Sequence, residues 1–157
     1  MLGSSNRFFF QNSLILDERR KDVFELLRIK QYTGSQISIY LHAFDYFVEN
    51  PKDFDGATLV PDLYDIPGLD LDAMLHDWHY LIFRAASSKA TKRIADKIFQ
   101  YGIKRKGKSG YSSWSRRVGL WIATPYLIRR SIKKYGEIRQ SDKDTLLKHL
   151  QILCPSI

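Results

Sequence analysis

The apolar residues of this chain change their spacing near residue 70, and this change limits the folds that it can adopt. Beyond Asp70, apolar side chains recur with the 3.6-residue period of a helix through residues 71–84. Before it, residues 36–47 are rich in β-branched and aromatic side chains, a composition typical of strands. We therefore predict an α+β fold in which a small N-terminal antiparallel sheet is followed by a helical half.

The predicted sheet occupies the first part of the chain. Residues 8–10 and 36–47 are its expected strands, and Thr33-Gly34-Ser35 is the expected hairpin turn. Residues 16–30 fit a helix capped by Asp17 and also fit the period of a strand, so both alternatives stay open.

The second half predicts helices that begin at recognisable caps. Asp70 is the expected N-cap of a helix over 71–84, and Ser88 that of a helix over 89–101 that ends at Gly102. Two more helices are expected, over 114–135 with a kink at Pro125, and from a capping box of Ser141 and Asp144 to Leu153. We expect one domain over 1–157, divided into a β-rich part (1–48), a Pro/Gly loop (49–69) and a helical part (70–157).

Composition excludes several classes of protein. Hydrophobic residues make up 44% of the 157, which is enough for a packed core. The single cysteine, Cys154, excludes an intramolecular disulfide and a cysteine-based zinc cluster. No apolar run approaches the roughly 20 residues that span a bilayer. The N-terminus does not fit a secretory signal peptide, so we do not expect secretion by that route.

The net charge of +8 is divided unevenly along the chain. Residues 49–77 hold eight acids and one base, whereas residues 84–139 hold sixteen bases and two acids. This division favours a basic face for an anionic partner beside an acidic loop or pocket, and solvated surface is the plainer alternative.

The candidate catalytic and metal-binding residues are concentrated in the segment His76-Asp77-Trp78-His79-Tyr80. On a helix, His76 and Tyr80 share a face, and Asp96 on the next helix can reach either of them if the two helices pack antiparallel. A histidine oriented by a carboxylate suits general-base catalysis, and a second carboxylate suits calcium. The alternative is a set of core polar groups that bind the preceding loop.

These residues resemble the paired catalytic helices of calcium-dependent secreted phospholipases, and most closely the disulfide-free version in parvoviral capsid proteins. The resemblance rests on the HD-x-x-Y motif and on Ala95-Asp96 in the second helix. It implies that His76 is the general base, Asp77 the calcium ligand, and Tyr80 and Asp96 the supporting network. The nearest match to the calcium loop of that family is Tyr64 to Gly68, which lacks the first glycine.

A second resemblance covers residues 23–126 and is to a phage- and prophage-borne family of unknown function. It rests on Asp55-Gly56-Ala57-Thr58 with a following proline, then on the A-x-x-H-D-x-x-Y and A-D-x-x-F motifs. It implies a phage origin, with Asp55, Gly56 and Thr58 binding the His76–Asp77 pair in place of a metal.

Two hypotheses of a metal-dependent site are alternatives to these two resemblances. An HD-type phosphohydrolase would use His42, His76 and Asp77 with Asp96 or Asp142, but His42 lies in a predicted strand and that family is all helical. His76 and His79 alone would make a poor zinc site, because two ligands are too few.

Basic residues interleaved with aromatic ones follow the second predicted helix. The basic cluster that opens this segment consists of Lys104, Arg105, Lys106 and Lys108. Over 104–134 the pattern suits another virion subunit, nucleic acid or an anionic lipid surface, in addition to an ordinary amphipathic helix pair.

These resemblances imply a bacteriophage virion-associated protein with a phospholipase-like core, in the virion or the host cytoplasm. If that core is catalytic, the protein is a calcium-dependent lipid ester hydrolase. The alternative is a non-catalytic structural or adaptor subunit in which His76, Asp77 and Asp96 form a buried polar clasp.

Overall fold

The computed structural model describes residues 8–54, 64–106, 125–126 and 128–155, and 79% of these are helical. The β pairing among them is one isolated bridge, between Ile66 and Leu69. The prediction of an α+β fold with an N-terminal antiparallel sheet is therefore wrong, and the described chain is nearly all helical.

Six α-helices carry the described chain, joined in places by short 3₁₀ turns. They are α1 (Leu16–Ile29), α2 (Gly34–Glu49), α3 (Leu71–Ile82), α4 (Lys89–Arg105), α5 (described over 125–126 and 128–135) and α6 (Gln140–Leu153). The chain divides into two compact units, Met1–Asp77 and Trp78–Ile157, so α3 contributes residues to both. The expectation of a single domain stays a prediction.

The predicted strand over 36–47 is instead the helix α2. Its exposed or half-buried polar side chains, Ser38, His42 and Asp45, recur at the spacing of one helix face, while Tyr40, Phe44 and others are buried on the opposite face. The expected hairpin turn is the start of this helix. There the Thr33 hydroxyl accepts the Gln36 amide and the Gln36 side chain accepts the Thr33 amide, in a capping box. Helical burial and capping therefore override strand propensity here.

The core of the first unit is a cluster of phenylalanines. Phe10 is 1% exposed and makes edge-on ring contacts with Phe9, Phe44 and Phe54. The predicted strand over 8–10 is absent because Phe9–Gln11 forms a 3₁₀ turn that inserts these rings against α2. The ambiguous segment 16–30 is the helix α1, which packs against α2.

In the second unit, α4 packs against α6 around Ala85, Ala95 and Leu146. The Ser88 hydroxyl accepts the Thr91 amide, which confirms Ser88 as the N-cap of α4. The predicted stop at Gly102 is wrong, because the buried apolar pattern continues through Ile103 and the helix ends at Arg105.

Two segments next to helix ends in this unit differ from what the sequence pattern alone indicates. Arg84 has a φ of 50°, a left-handed conformation, and its Nε donates to the Tyr135 carbonyl. The helix α6 begins at Gln140, where Asp142 accepts the Arg139 amide, so the predicted capping box of Ser141 and Asp144 is displaced.

Candidate functional site

The helix α3 begins where the sequence predicts. The Asp70 carboxylate accepts the Asp72 amide at 3.0 Å and the Ala73 amide at 3.1 Å, so it caps the first turn. The helix ends at Ile82, two residues before the predicted end. His76 and Asp77 lie half-buried on this helix, in the part that belongs to the first unit.

The last turn of α3 is joined to α4 by a predicted contact. The Tyr80 hydroxyl donates to Asp96 Oδ1 at 2.7 Å. Of the residues expected to act together, the structure brings these two together in the second unit. Their contact agrees with the supporting network of Tyr80 and Asp96 that the phospholipase resemblance implies. The clasp of His76, Asp77 and Asp96 stays a prediction.

A third residue, which the sequence reasoning missed, completes this contact. Lys92 Nζ lies 2.7 Å from Asp96 Oδ2 within α4, and the lysine side chain is only 2% exposed. A lysine this deeply buried depends on its partner carboxylate, because an unpaired charge in the interior is costly. Each carboxylate oxygen of Asp96 therefore accepts from a protein donor, one from α3 and one from α4. We call Tyr80, Lys92 and Asp96 the α3–α4 clasp.

The second unit also holds a buried pair of histidines. His79 Nε2 is 3.0 Å from His149 Nδ1, and both imidazoles stack against the Trp78 ring. His79 therefore pairs with a histidine of α6, and the stacking with Trp78 makes the pair part of the packed interior.

The start of α3 also gathers three carboxylates, from Asp65, Asp70 and Asp72. One oxygen from each lies within 4.8 Å of the others. Among the described residues, these three carboxylates are the one group of histidine, cysteine or acidic side chains close enough to share a metal ion. Asp65 accepts the Leu71 amide at 2.8 Å, and Asp72 accepts the Tyr40 hydroxyl at 2.7 Å.

These carboxylates accept hydrogen bonds from backbone amides at the start of α3 and from the hydroxyl of the buried Tyr40. Negative charge at a helix N-terminus is stabilised by the unpaired amides and the helix dipole. Burial, together with the charge of Asp72, raises the pKa of Tyr40 well above its usual value. Lys30 lies 3.9 Å from Asp65 and offsets part of the negative charge.

The segment nearest in sequence to a calcium loop, residues 64–68, leads directly into this group. The Ile66 carbonyl accepts the Leu69 amide, and the Leu69 carbonyl accepts the amides of Asp65 and Ile66. These carbonyls are therefore engaged in a tight turn closed on the backbone. Calcium binding at Asp77 stays a prediction.

The other predicted binding residues are placed only in part. Lys104 and Arg105 are exposed at the end of α4, and Lys106 follows them half-buried. The remaining four, Asp55, Gly56, Thr58 and Lys108, lie outside the described residues.

His42 lies on the helix α2, so the predicted strand that argued against an HD-type phosphohydrolase is absent. His42 lines a groove of about 320 Å³ between α1 and α2, with Phe24, Ile37 and Leu41 on its apolar wall. His42, His76 and Asp77 are not members of the carboxylate group described above. The HD-type phosphohydrolase alternative stays a prediction.

Two of the missed residues differ in how they could have been found. Lys92 stands four residues before Asp96, the spacing of a helical ion pair, so its role was accessible from the sequence. His149 stands 70 residues from His79, and no local signal connects them.

No match to this chain was found among protein-family models, curated proteins or solved structures. The resemblances drawn from its motifs therefore stay predictions. Among the helices described, none combines the length and the apolar character that a bilayer crossing requires.

Proposed function

We propose that this chain is a non-catalytic structural or adaptor subunit of a bacteriophage virion. The observation that carries the non-catalytic part is the ion pair of Asp96 with the buried Lys92, which together with the Tyr80 hydrogen bond engages both oxygens of Asp96. A carboxylate used in this way fixes two helices against each other. The phage origin is supported by the order and spacing of the D-G-A, HD-x-x-Y and AD-x-x-F motifs.

A lipid ester hydrolase is the second candidate, and one specific contact favours it. The Tyr80–Asp96 hydrogen bond is the one that the phospholipase resemblance implies for its supporting network. In that case His76 would deprotonate a water molecule that attacks the ester carbonyl, and calcium at Asp77 would polarise that carbonyl.

Fatty acid release from mixed phospholipid vesicles, with and without calcium, separates the two candidates. For an adaptor we expect the purified chain and its His76→Ala variant to match vesicles without protein. Calcium-dependent release that is lost in His76→Ala and retained in a matched His42→Ala variant would overturn the adaptor proposal and establish the hydrolase.

Association with a virion has its own test. We expect mass spectrometry of purified particles, from the phage whose genome carries this gene, to detect the chain at a fixed ratio to the major capsid protein. Its presence in the infected-cell lysate and absence from the particles would contradict the proposal.

A further inference from the structure

The helix α4 carries a line of positive charge along its outer side. Lys89, Arg93, Lys97 and Lys104 are all exposed. At about 100° per residue, these four positions fall within a sector of about 80° around the helix axis. We call these four residues the α4 basic stripe.

No described acid neutralises this stripe. None of its four side chains forms an ion pair with a described residue. The single acid of α4 is Asp96, whose oxygens accept from Tyr80 and Lys92 in the clasp. The stripe therefore presents four bases to solvent with their charge uncompensated by their own helix.

The charge of the second unit reinforces the stripe. Residues 78–157 contain eighteen Lys and Arg against four Asp and Glu, a net charge of +14, whereas residues 1–77 contain seven against thirteen, a net charge of −6. A concentration of one sign of charge raises the local concentration of an oppositely charged partner.

We propose that the α4 basic stripe binds the sugar–phosphate backbone of nucleic acid. From Lys89 to Lys104 the helix rises about 22 Å, at about 1.5 Å per residue. That length corresponds to about six base-pair steps of a duplex, at about 3.4 Å per step. Lysine and arginine ends spaced along such a line suit contacts to successive phosphates, which position a protein without reading sequence.

The surface of α4 favours nucleic acid over an anionic membrane. The apolar residues of α4 that would have to enter a lipid headgroup layer, among them Ile98, Phe99 and Ile103, are buried in the second unit. A helix that binds a membrane surface instead exposes an apolar face beside its bases. This inference does not depend on whether the clasp is catalytic.

The test is the salt dependence of binding to a fluorescein-labelled DNA duplex of about 20 base pairs, long enough to cover the stripe. The affinity, followed by fluorescence anisotropy, is plotted against salt concentration on logarithmic axes. Four phosphate contacts contribute about −3.6 to the slope of this plot. We expect the variant K89Q/R93Q/K97Q/K104Q to lose about that much of the slope and to bind at least about tenfold more weakly at low salt.

A control variant, R19Q/K21Q/R28Q/K52Q, removes the same charge from the first unit. We expect it to keep the slope and affinity of the parent. An equal loss in the control would show that binding follows net charge alone, and unchanged binding in the stripe variant would show that the stripe is not the site. Either result overturns the proposal.

Sedimentation with phosphatidylserine vesicles supplies the remaining arm. Vesicle binding that depends on the stripe, without stripe-dependent DNA binding, would overturn the proposal in favour of a membrane. Circular dichroism checks the fold of each variant. If the fourfold variant is unfolded, the single Arg93→Gln change decides, with an expected loss of about one unit of slope.

Discussion

Asp96 joins the last turn of α3 to α4 through Tyr80 and pairs with the buried Lys92. Replacing it with alanine leaves Lys92 buried without its carboxylate, so we expect Asp96→Ala to lower the free energy of unfolding by about 3–5 kcal/mol. Tyr80→Phe removes one hydrogen bond to a charged acceptor and should cost about 1.5–3 kcal/mol. Urea unfolding followed by circular dichroism measures both.

The buried charge of Lys92 gives this prediction its control. We expect the double variant Lys92→Met/Asp96→Leu to be more stable than Asp96→Ala, because it removes both charges together. The exposed Asp144 supplies a matched surface change, Asp144→Ala. If Asp96→Ala costs no more than Asp144→Ala, the clasp has no energetic role.

Cys154 is a second residue with a measurable property. It is 3% exposed, and burial raises the pKa of its thiol to about 11, although Lys97 acts in the opposite direction. At about pH 8 only about one thiol in a thousand is then ionised, and thiolate is the reactive form. We expect Ellman's reagent to label the native chain far more slowly than the urea-unfolded chain, and equal rates would contradict this burial.

Because of Tyr40, we expect the free energy of unfolding to depend on pH in the alkaline range. The pKa of Tyr40 is raised in the folded state by burial and by Asp72, so the folded chain holds this proton more tightly than the unfolded chain. Its contribution is fully present below the ordinary tyrosine pKa of about 10 and is lost as the pH rises above it. We expect the unfolding free energy of the parent to fall more steeply over this range than that of Tyr40→Phe. Parallel profiles would rule out this contribution.

The start of α3 depends on one cap. Asp70 is fully buried and accepts two amides of the first turn. We expect Asp70→Ala to lower the free energy of unfolding by about 1–2 kcal/mol, and Asp70→Asn to lower it less, since the amide oxygen still accepts. Thr33→Ala, which removes the cap of α2, is the matched comparison. An Asp70→Asn variant as unstable as Asp70→Ala would indicate that charge and not capping matters here.

The helices of the second half were predictable because local signals and tertiary burial agree there. Ser88 and Asp70 act as caps at the predicted positions, and the buried residues of α4 follow the expected period. In α2 these signals conflict. Its β-branched and aromatic side chains favour a strand, whereas the spacing of Ser38, His42 and Asp45 is that of a helix. Here composition predicts the wrong secondary structure, and with it the wrong fold class, because the burial of one helix face decides the fold.

The contacts of the candidate site that depend on local helix geometry could be predicted from the sequence, and those that depend on long-range packing could not. The Tyr80–Asp96 contact follows from two helices with identifiable facing residues. The pairing of His79 with His149 follows only from the packing of α6, which no short motif encodes. The roles of His76 and Asp77 stay predictions.

The high helical content of the described residues leads to a prediction for the whole molecule. We expect the far-ultraviolet circular dichroism spectrum of the full chain to show the double minimum of α-helices, because 79% of the described residues are helical. A spectrum dominated by the single minimum of β-sheet would contradict this fold. Addition of a thiol reductant should leave the spectrum unchanged, since Cys154 is the only cysteine.

The division of charge was visible in the sequence, and the structure gives it a boundary. The acidic stretch ends at Asp77 and the first compact unit ends at the same residue. The first unit has an excess of acids and the second an excess of bases. Added salt therefore screens mainly negative charge in the first unit and mainly positive charge in the second.

Arg84 narrows the set of sequences that this fold can accept. Its backbone is left-handed, which costs a side chain other than glycine about 1–2 kcal/mol, yet its guanidinium reaches the Tyr135 carbonyl and lies 3.7 Å from Asp142. Glycine would suit the backbone and lysine would keep the charge, but neither does both. In a deep mutational scan, this position should thus tolerate fewer replacements than its half-buried surface location suggests.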